Sequence, residues 1–363
     1  METLFWCSVG LIAYVYAGYP ALLGIWARVV DRSRHEGAGG EEMRSDELPG
    51  VSIIIAARNE ARRLPARLEN LLACDYPPDR MQIVVASDGS TDHTLDALTP
   101  YLSRIEVLML PPRGKASALN AAVSRARHPI LVFADARQRF APDAIRRLVR
   151  HFSQPSVGAV SGELVLDCEG GEAPSTIGDG VGAYWKYEKW LRRHEAIVGS
   201  TLGVTGAIYA MRRTLWRPLP DETILDDVLG PMRIVLQRYR VTFDPTARAY
   251  DETAPDAAVE TRRKVRTLAG NFQLVALEPR LLLPGVNPVW FQFVSHKLGR
   301  LLVPYALGAA LVASLWLAPA SWVYASAAAG QVAFYGLAAY GAVLEHRARQ
   351  TARSGAEVIR EAA

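Results

Sequence analysis

The chain has 363 residues, a formal net charge of +4 and a hydrophobic share of 50%. Its Lys and Arg residues are scattered or flank apolar stretches, without one long basic run, which sets nucleic-acid binding aside. Cys7, Cys74 and Cys168 share no Cys-x-x-Cys spacing and read as free thiols in a reducing compartment.

In chain order, Leu4 to Ala27 is nearly uncharged and long enough to cross a hydrocarbon core as a helix. No basic n-region precedes it and no small-residue cleavage site follows, so it reads as an anchor within an N-terminal segment 1–30. Gly18 and Pro20 predict a kink that a membrane helix tolerates. Residues 31–49 are polar and rich in Gly, Glu and Arg, the composition of a linker.

From Val51 onward short apolar runs alternate with amphipathic stretches. Strands are expected at Val51–Ala56, Gln82–Ser87, Ile105–Leu110, Ile130–Ala134 and Val157–Leu166. Helices are expected at Arg62–Leu72, Thr91–Leu102, Lys115–Ala126 and Pro142–His151. This rhythm predicts an α/β fold with a mostly parallel sheet over residues 50–285. A Gly-rich segment at 170–182 and an aromatic helix near Tyr184–Arg193 follow. Trp290, Phe291 and Phe293 beside polar residues suggest a helix lying along a membrane surface at 286–300. Within 301–345, two further apolar stretches, Leu301 to Leu317 and Trp322 to Leu344, predict a transmembrane hairpin, with a tail at 346–363. Basic residues flank the spans at Arg28, Arg32, Arg34, Lys297, Arg300, Arg347, Arg349 and Arg353, while the loop between the last two spans has none. The positive-inside rule then places the middle region and the tail in the cytosol.

Two carboxylates, Asp88 and Asp135, follow apolar strands, where open α/β sheets bind ligands outside the strand ends. Asp226-Asp227 and then Arg262-Arg263-Lys264 with Arg266 come later, as a nucleotide-diphosphate site would need. No Gly-rich dinucleotide turn follows the first strand. Gly114-Lys115 is not a P-loop either, since Met109 replaces its first glycine and Ala116 its Ser or Thr.

The ordered run "IAARNE", "ASDGSTDHT", "RGKASALN", "FADAR", "TGAIYAMRR", "LDDVLGPMRIVLQRYRV" and "RRKVRTLAGNFQ" resembles a membrane-bound family 2 glycosyltransferase over roughly residues 50–275. It is similar to the branch containing cellulose, hyaluronan and poly-N-acetylglucosamine synthases. The resemblance implies a GT-A fold, a Rossmann-like sheet that binds a nucleotide-sugar, here expected to be UDP-linked. It assigns Glu60 and Asp88 to the nucleobase and ribose side and Lys115 to the neighbourhood of the donor. Asp135 is implied as the first carboxylate of an Asp-x-Asp pair that engages ribose and a divalent metal, Mg²⁺ or Mn²⁺. Arg137 stands where the second Asp belongs and cannot ligate a metal. Either Asp135 holds the ion with another oxygen and the donor phosphates, or the Arg137 guanidinium itself neutralises the diphosphate. Asp227 takes the position of the catalytic base and Asp226 that of its partner, which orients the helix or tunes the base by like-charge repulsion.

Arg263 and Arg266 fall on the Gln-x-x-Arg-Trp motif, with Arg266 facing the leaving diphosphate. Thr267 replaces the motif's Trp and offers no platform for an acceptor sugar. Thr205 and Gly206 match the acceptor side, and Trp185, Tyr187 and Trp190 are candidates for an acceptor groove. Plainer readings stand beside these: an Asx-turn or N-cap at Asp88, a helix-dipole pair at Asp226-Asp227, a solvated Arg-rich helix face, and aromatic packing.

The function so implied is inverting transfer of a sugar to a lipid-linked or growing saccharide in cell-envelope or exopolysaccharide synthesis at the inner membrane. Three spans look few for a polymer channel, so an export or assembly partner, or a glycolipid product, is expected. The alternatives are a single-addition glycolipid transferase and a silent sugar-nucleotide-binding subunit.

Overall fold

The computed structural model describes residues 1–34, 47–167, 176–252 and 257–361. Most of the expected linker, Cys168 and the start of the Gly-rich segment lie outside these. The chain divides into two units, Met1–Tyr19 with Gly299–Ala363, and Pro20–Leu298.

In the first unit, helices at Glu2–Ala13, Gly299–Leu317 and Trp322–Glu361 associate through small residues. The buried Phe5 ring meets Tyr324 edge-on at 5.1 Å and packs with Ala310 and Ala313. Small side chains at such contacts let helices approach closely. Across the described residues, three helices are long and apolar enough to cross a membrane: Glu2–Val30, Trp290–Leu317 and Trp322–Leu344.

The second unit is built on eight strands: β1 (Val51–Ala57), β2 (Met81–Asp88), β3 (Glu106–Leu110), β4 (Ile130–Ala134), β5 (Arg139–Phe140), β6 (Val157–Asp167), β7 (Ile208–Arg212) and β8 (Arg240–Glu252). They form one sheet in the order β3-β2-β1-β4-β7-β6-β8-β5. The β3-β2-β1-β4 half is parallel throughout, β6 and β8 are parallel, and β7 and β5 pair antiparallel with their neighbours. Strands β1, β2 and β4 read as unbroken apolar runs because both of their faces are covered. Val51, Ile53 and Ile55 enter one core with Leu64, Leu68 and Ile145, whereas Ile54 enters the other with Leu119, Leu229 and Met232.

This topology positions the site. From β1 the chain steps to β2 and β3 on one side, then returns to β4 on the other. The crevice outside the carboxyl ends of β1 and β4 is therefore a switch point where helices diverge to opposite faces.

Candidate functional site

Asp135 leaves the end of β4 into that crevice. Facing it is Lys115, the first residue of the helix Lys115–Ser124. Gly114 before it has φ +97°, a conformation that side chains resist, and it lets the chain turn sharply into the helix. Asp88, buried at the end of β2, fixes this turn. Its Oδ1 accepts the backbone N–H groups of Arg113 at 2.8 Å and Gly114 at 3.0 Å. The Lys115 Nζ then lies 3.2 Å from Asp135 Oδ1 and 3.3 Å from Asp226 Oδ2. Burial works against the Lys115 ammonium, but Asp226, Asp135 and Asp227 outweigh it and hold the amine above its ordinary value. Ala56, Lys115, Asp135, Gly206, Tyr209 and Asp226 are among the residues lining one small cleft. The Tyr209 ring is stacked on Phe133 at 4.4 Å and is fixed by it.

The helix Asp226–Leu236 starts on two acids, which its dipole favours, and contains Pro231. A proline has no N–H, so the carbonyl four residues earlier, that of Asp227, loses its helical donor. That carbonyl accepts the Val204 N–H at 2.9 Å instead, tying this helix to the Val204-Thr205-Gly206 loop. Gly206 comes so close that a Cβ there would stand 3.4 Å from Asp227 Oδ2. The Asp227 carboxyl is pushed up to about 6, first by burial and then by Asp226, with a smaller push from Asp135; Lys115 and Lys297 act the other way. A carboxylate of this kind is ionised at neutral pH and still basic enough to take a hydroxyl proton.

Thr205 accepts a hydrogen bond from the Arg192 guanidinium, and its N–H donates to Ser161 Oγ at 2.9 Å. Arg192 lies on the helix Thr176–Val198, which also carries Lys189, paired with Glu163 at 2.6 Å, and Glu195, bound to His296 Nδ1 at 2.7 Å. Sequence reasoning missed Arg192, Tyr209 and the Glu195–His296 contact. The aromatic pattern marked that helix, but nothing local marks these partners.

Arg137 does not face the cleft's acids. Its guanidinium pairs with Asp251 on β8, and Gln138 Nε2 donates to the same carboxylate at 2.9 Å. Asp251 is buried, so the pair is fixed in place. Of the two roles open for the Asp-x-Arg sequence, neutralising a diphosphate with Arg137 is thereby disfavoured. Among the described residues no group of three or more His, Cys, Asp and Glu side chains is arranged to hold a metal unaided. Asp135 is 38% exposed at its side chain and open to the cleft. One carboxylate completed by substrate phosphates and water is an arrangement Mg²⁺ accepts, so the residues fit a donor-dependent metal site.

The remaining expected residues lie around this centre. The Glu60 carboxylate accepts from Arg63 at 2.9 Å, and its N–H reaches Thr94 Oγ1 at 3.3 Å. Arg266 is exposed on the helix Ala257–Leu277 and reaches the Ile224 carbonyl at 3.2 Å. The same helix holds the approach to Asp226. Gln273 bonds the Ile224 N–H and the Glu222 carbonyl, and Gly270 lies flush against Leu225. Arg263 is in this helix, but its side chain is outside the described set, as is that of Trp185.

The glycosyl transferase family 2 model matches residues 52–216. The fold is that of the mannosyltransferase PcManGT from Pyrobaculum calidifontis, solved in complex with GDP-Man and Mn²⁺. The TM-score is 0.69 at 25% identity, over 91% of this chain and 92% of that one. The chain is 25% identical over 237 residues to a beta-monoglucosyldiacylglycerol synthase of Synechocystis sp., covering 62% of this chain and 48% of that protein. It is 21% identical over 252 residues to a poly-beta-1,6-N-acetyl-D-glucosamine synthase of Staphylococcus aureus, covering 64% and 57%. The chain thus spans about half the length of the curated relatives it matches.

Proposed function

Because the chain carries a family 2 glycosyltransferase domain of GT-A fold, we propose that it transfers a sugar from a nucleoside-diphosphate donor, with inversion, to a hydroxyl on a lipid-linked or growing saccharide. The observation that carries this reading is the convergence of Lys115, Asp135, Gly206 and Asp226 on one cleft, with Asp227 against Gly206.

Asp227 is the base. It takes the acceptor hydroxyl's proton while that oxygen attacks the sugar carbon from the face opposite the diphosphate, and it ends protonated as the nucleoside diphosphate leaves. Asp226 anchors the Lys115 ammonium and raises the basicity of its neighbour. Thr205 and Gly206, held by Val204 and Arg192, shape the acceptor's approach. Glu60 and Asp88 belong to the nucleoside end, and Arg263 and Arg266 come from the helix Ala257–Leu277 to meet the diphosphate. Asp135 would hold a divalent cation, Mg²⁺ or Mn²⁺, which supplies positive charge to the phosphates.

The three apolar helices anchor the chain in the inner membrane, with residues 50–285 as the cytosolic catalytic domain. The segment 286–300, which leads into the apolar helix Trp290–Leu317, brings a lipid acceptor to the base. The synthases it resembles are named for making a glycolipid and a polysaccharide. A single-addition product on lipid and a polymer handed to an export or assembly partner are separated by product length. The deciding experiment incubates purified protein and bulk membrane lipid with UDP- and GDP-linked sugars and follows nucleoside-diphosphate release and labelled lipid. Transfer from one donor class that Asp227→Asn abolishes, with donor affinity kept within a few-fold, is expected. No release from any donor, or normal turnover by Asp227→Asn, refutes the assignment.

A further inference from the structure

The cleft contains a cation of its own. The Lys115 ammonium occupies the space between Asp135 and Asp226, within 3.3 Å of each carboxylate. Asp135 is also the residue fitted to hold a divalent ion, and the usual second carboxylate is replaced by Arg137, which is spent on Asp251. A metal ion bound at Asp135 stands about 2 Å from a carboxylate oxygen. An ammonium and a divalent ion sharing one carboxylate would be like charges a few ångströms apart.

We propose that Lys115 is the resident counter-cation of Asp135 in the donor-free enzyme, so that a divalent ion binds there only as the nucleoside diphosphate arrives and draws the ammonium away. This deepens the donor reading above and rests on it. Three features of the chain suit the exchange. Lysine carries its charge on a flexible four-carbon stem, so it can swing where a guanidinium fork is fixed. Gly114, whose N–H is held by Asp88, pins the backbone from which that stem projects. The lysine side chain is about one-third exposed (35%) and lines the cleft. Asp226 remains as its second partner, so leaving Asp135 does not strand the charge. Metal and donor then bind as a unit, and the one-carboxylate site stays closed to free metal.

The test measures free Mn²⁺ by electron paramagnetic resonance against the full-length protein in detergent, with and without UDP or GDP. Wild type should bind Mn²⁺ at least tenfold more tightly with the bound nucleotide than without. Lys115→Met should bind Mn²⁺ without nucleotide at least tenfold more tightly than wild type, and Asp135→Asn should remove the site in both backgrounds. A smaller gain from Lys115→Met, with nucleotide binding intact, overturns the proposal and leaves the donor reading standing. Equal Mn²⁺ affinity of wild type with and without nucleotide overturns it without any variant. Should neither UDP nor GDP bind wild type, the donor reading falls and takes the proposal with it.

Discussion

Replacing Asp227 by Asn should have opposite effects on activity and stability. Burial and the neighbouring Asp226 lift the Asp227 carboxyl from 3.8 to about 6. At about 1.4 kcal/mol per tenfold change in proton affinity, that is a penalty of ~3 kcal/mol on the ionised form in the folded state. The folded protein binds this proton more tightly than the unfolded chain, so stability falls as pH rises from about 4 to about 6 and stays reduced above. Asn carries no charge and escapes the penalty. Asp227→Asn should therefore raise the melting temperature at pH 7.5, through a stability gain on the order of 2 kcal/mol that vanishes near pH 4. It should abolish turnover at every pH. The wild-type rate should fall on the acid side through about pH 6, losing roughly tenfold between pH 7 and pH 5 as the base is protonated. The assays are nucleoside-diphosphate release at saturating donor and thermal unfolding in detergent over the same pH series. An acid limb centred near pH 4, or a variant less stable than wild type at pH 7.5, would refute the argument.

Gly206→Ala puts a methyl 3.4 Å from Asp227 Oδ2, an ordinary contact distance, on the face an acceptor must approach. The melting temperature should move by no more than about 2 °C, while kcat/KM for the acceptor drops about 100-fold; a fall confined to the donor KM would contradict this. Gly270→Val drives a side chain into Leu225, whose Cγ would lie 2.5 Å from the new Cβ. Differential scanning should record a loss of about 1–3 kcal/mol, with turnover falling because the Ile224-Leu225 approach to Asp226 is displaced. Asp244, buried and bound by His151 Nε2 and Arg150 Nη2 at 2.9 Å each, is not among the residues lining the cleft. Burial opposes its charge, but the bonds from His151 and Thr246 prevail and hold it below the ordinary carboxylate range. Its contribution is present above pH 4 and is lost as pH falls through the lower folded value. Asp244→Asn should cost about 3 kcal/mol at neutral pH, and equilibrium denaturation with no change there would refute the pairing.

The parallel half of the sheet was legible because β1, β2 and β4 are buried on both faces and so are written as apolar runs. Strand β8 was not, since Arg240–Glu252 carries five charged residues and is bent by register shifts against β6. The short β7 was recognised only as the motif around Thr205-Gly206, without its strand. The helix expected over Thr91–Leu102 shortens to Thr94–Leu98 followed by a 3₁₀ turn at Thr99–Tyr101. There Asp92 bonds the Thr94 and Ala61 N–H groups at 3.1 Å and takes the local turn role that had been an alternative reading of Asp88. At the site, residue types were readable and partners were not. The Arg137 substitution was visible in the sequence, but its meaning depended on Asp251, 114 positions away. The consequence of Pro231 is readable in principle, since a proline four residues after Asp227 must free that carbonyl, but which loop would claim it required the fold.

The charge balance of the cleft constrains the order of events. Asp135, Asp226 and Asp227 surround the Lys115 ammonium, and even with Lys297 also acting on Asp227 the centre stays net negative when all three are ionised. A nucleoside diphosphate is also an anion, and like charges 4 Å apart repel by about 4 kcal/mol at an effective dielectric constant near 20. Donor binding here must therefore bring or recruit positive charge. Arg137 is committed to Asp251. Lys115 alone offsets only part of the repulsion, and doing so uncovers Asp135. Arg266 is exposed and donates to the Ile224 carbonyl, leaving its guanidinium accessible to an incoming phosphate. Uncovering Asp135 makes the cleft a better cation site at the moment an anion enters, which is why donor and metal are expected to bind together and why neutralising Lys115 should separate them.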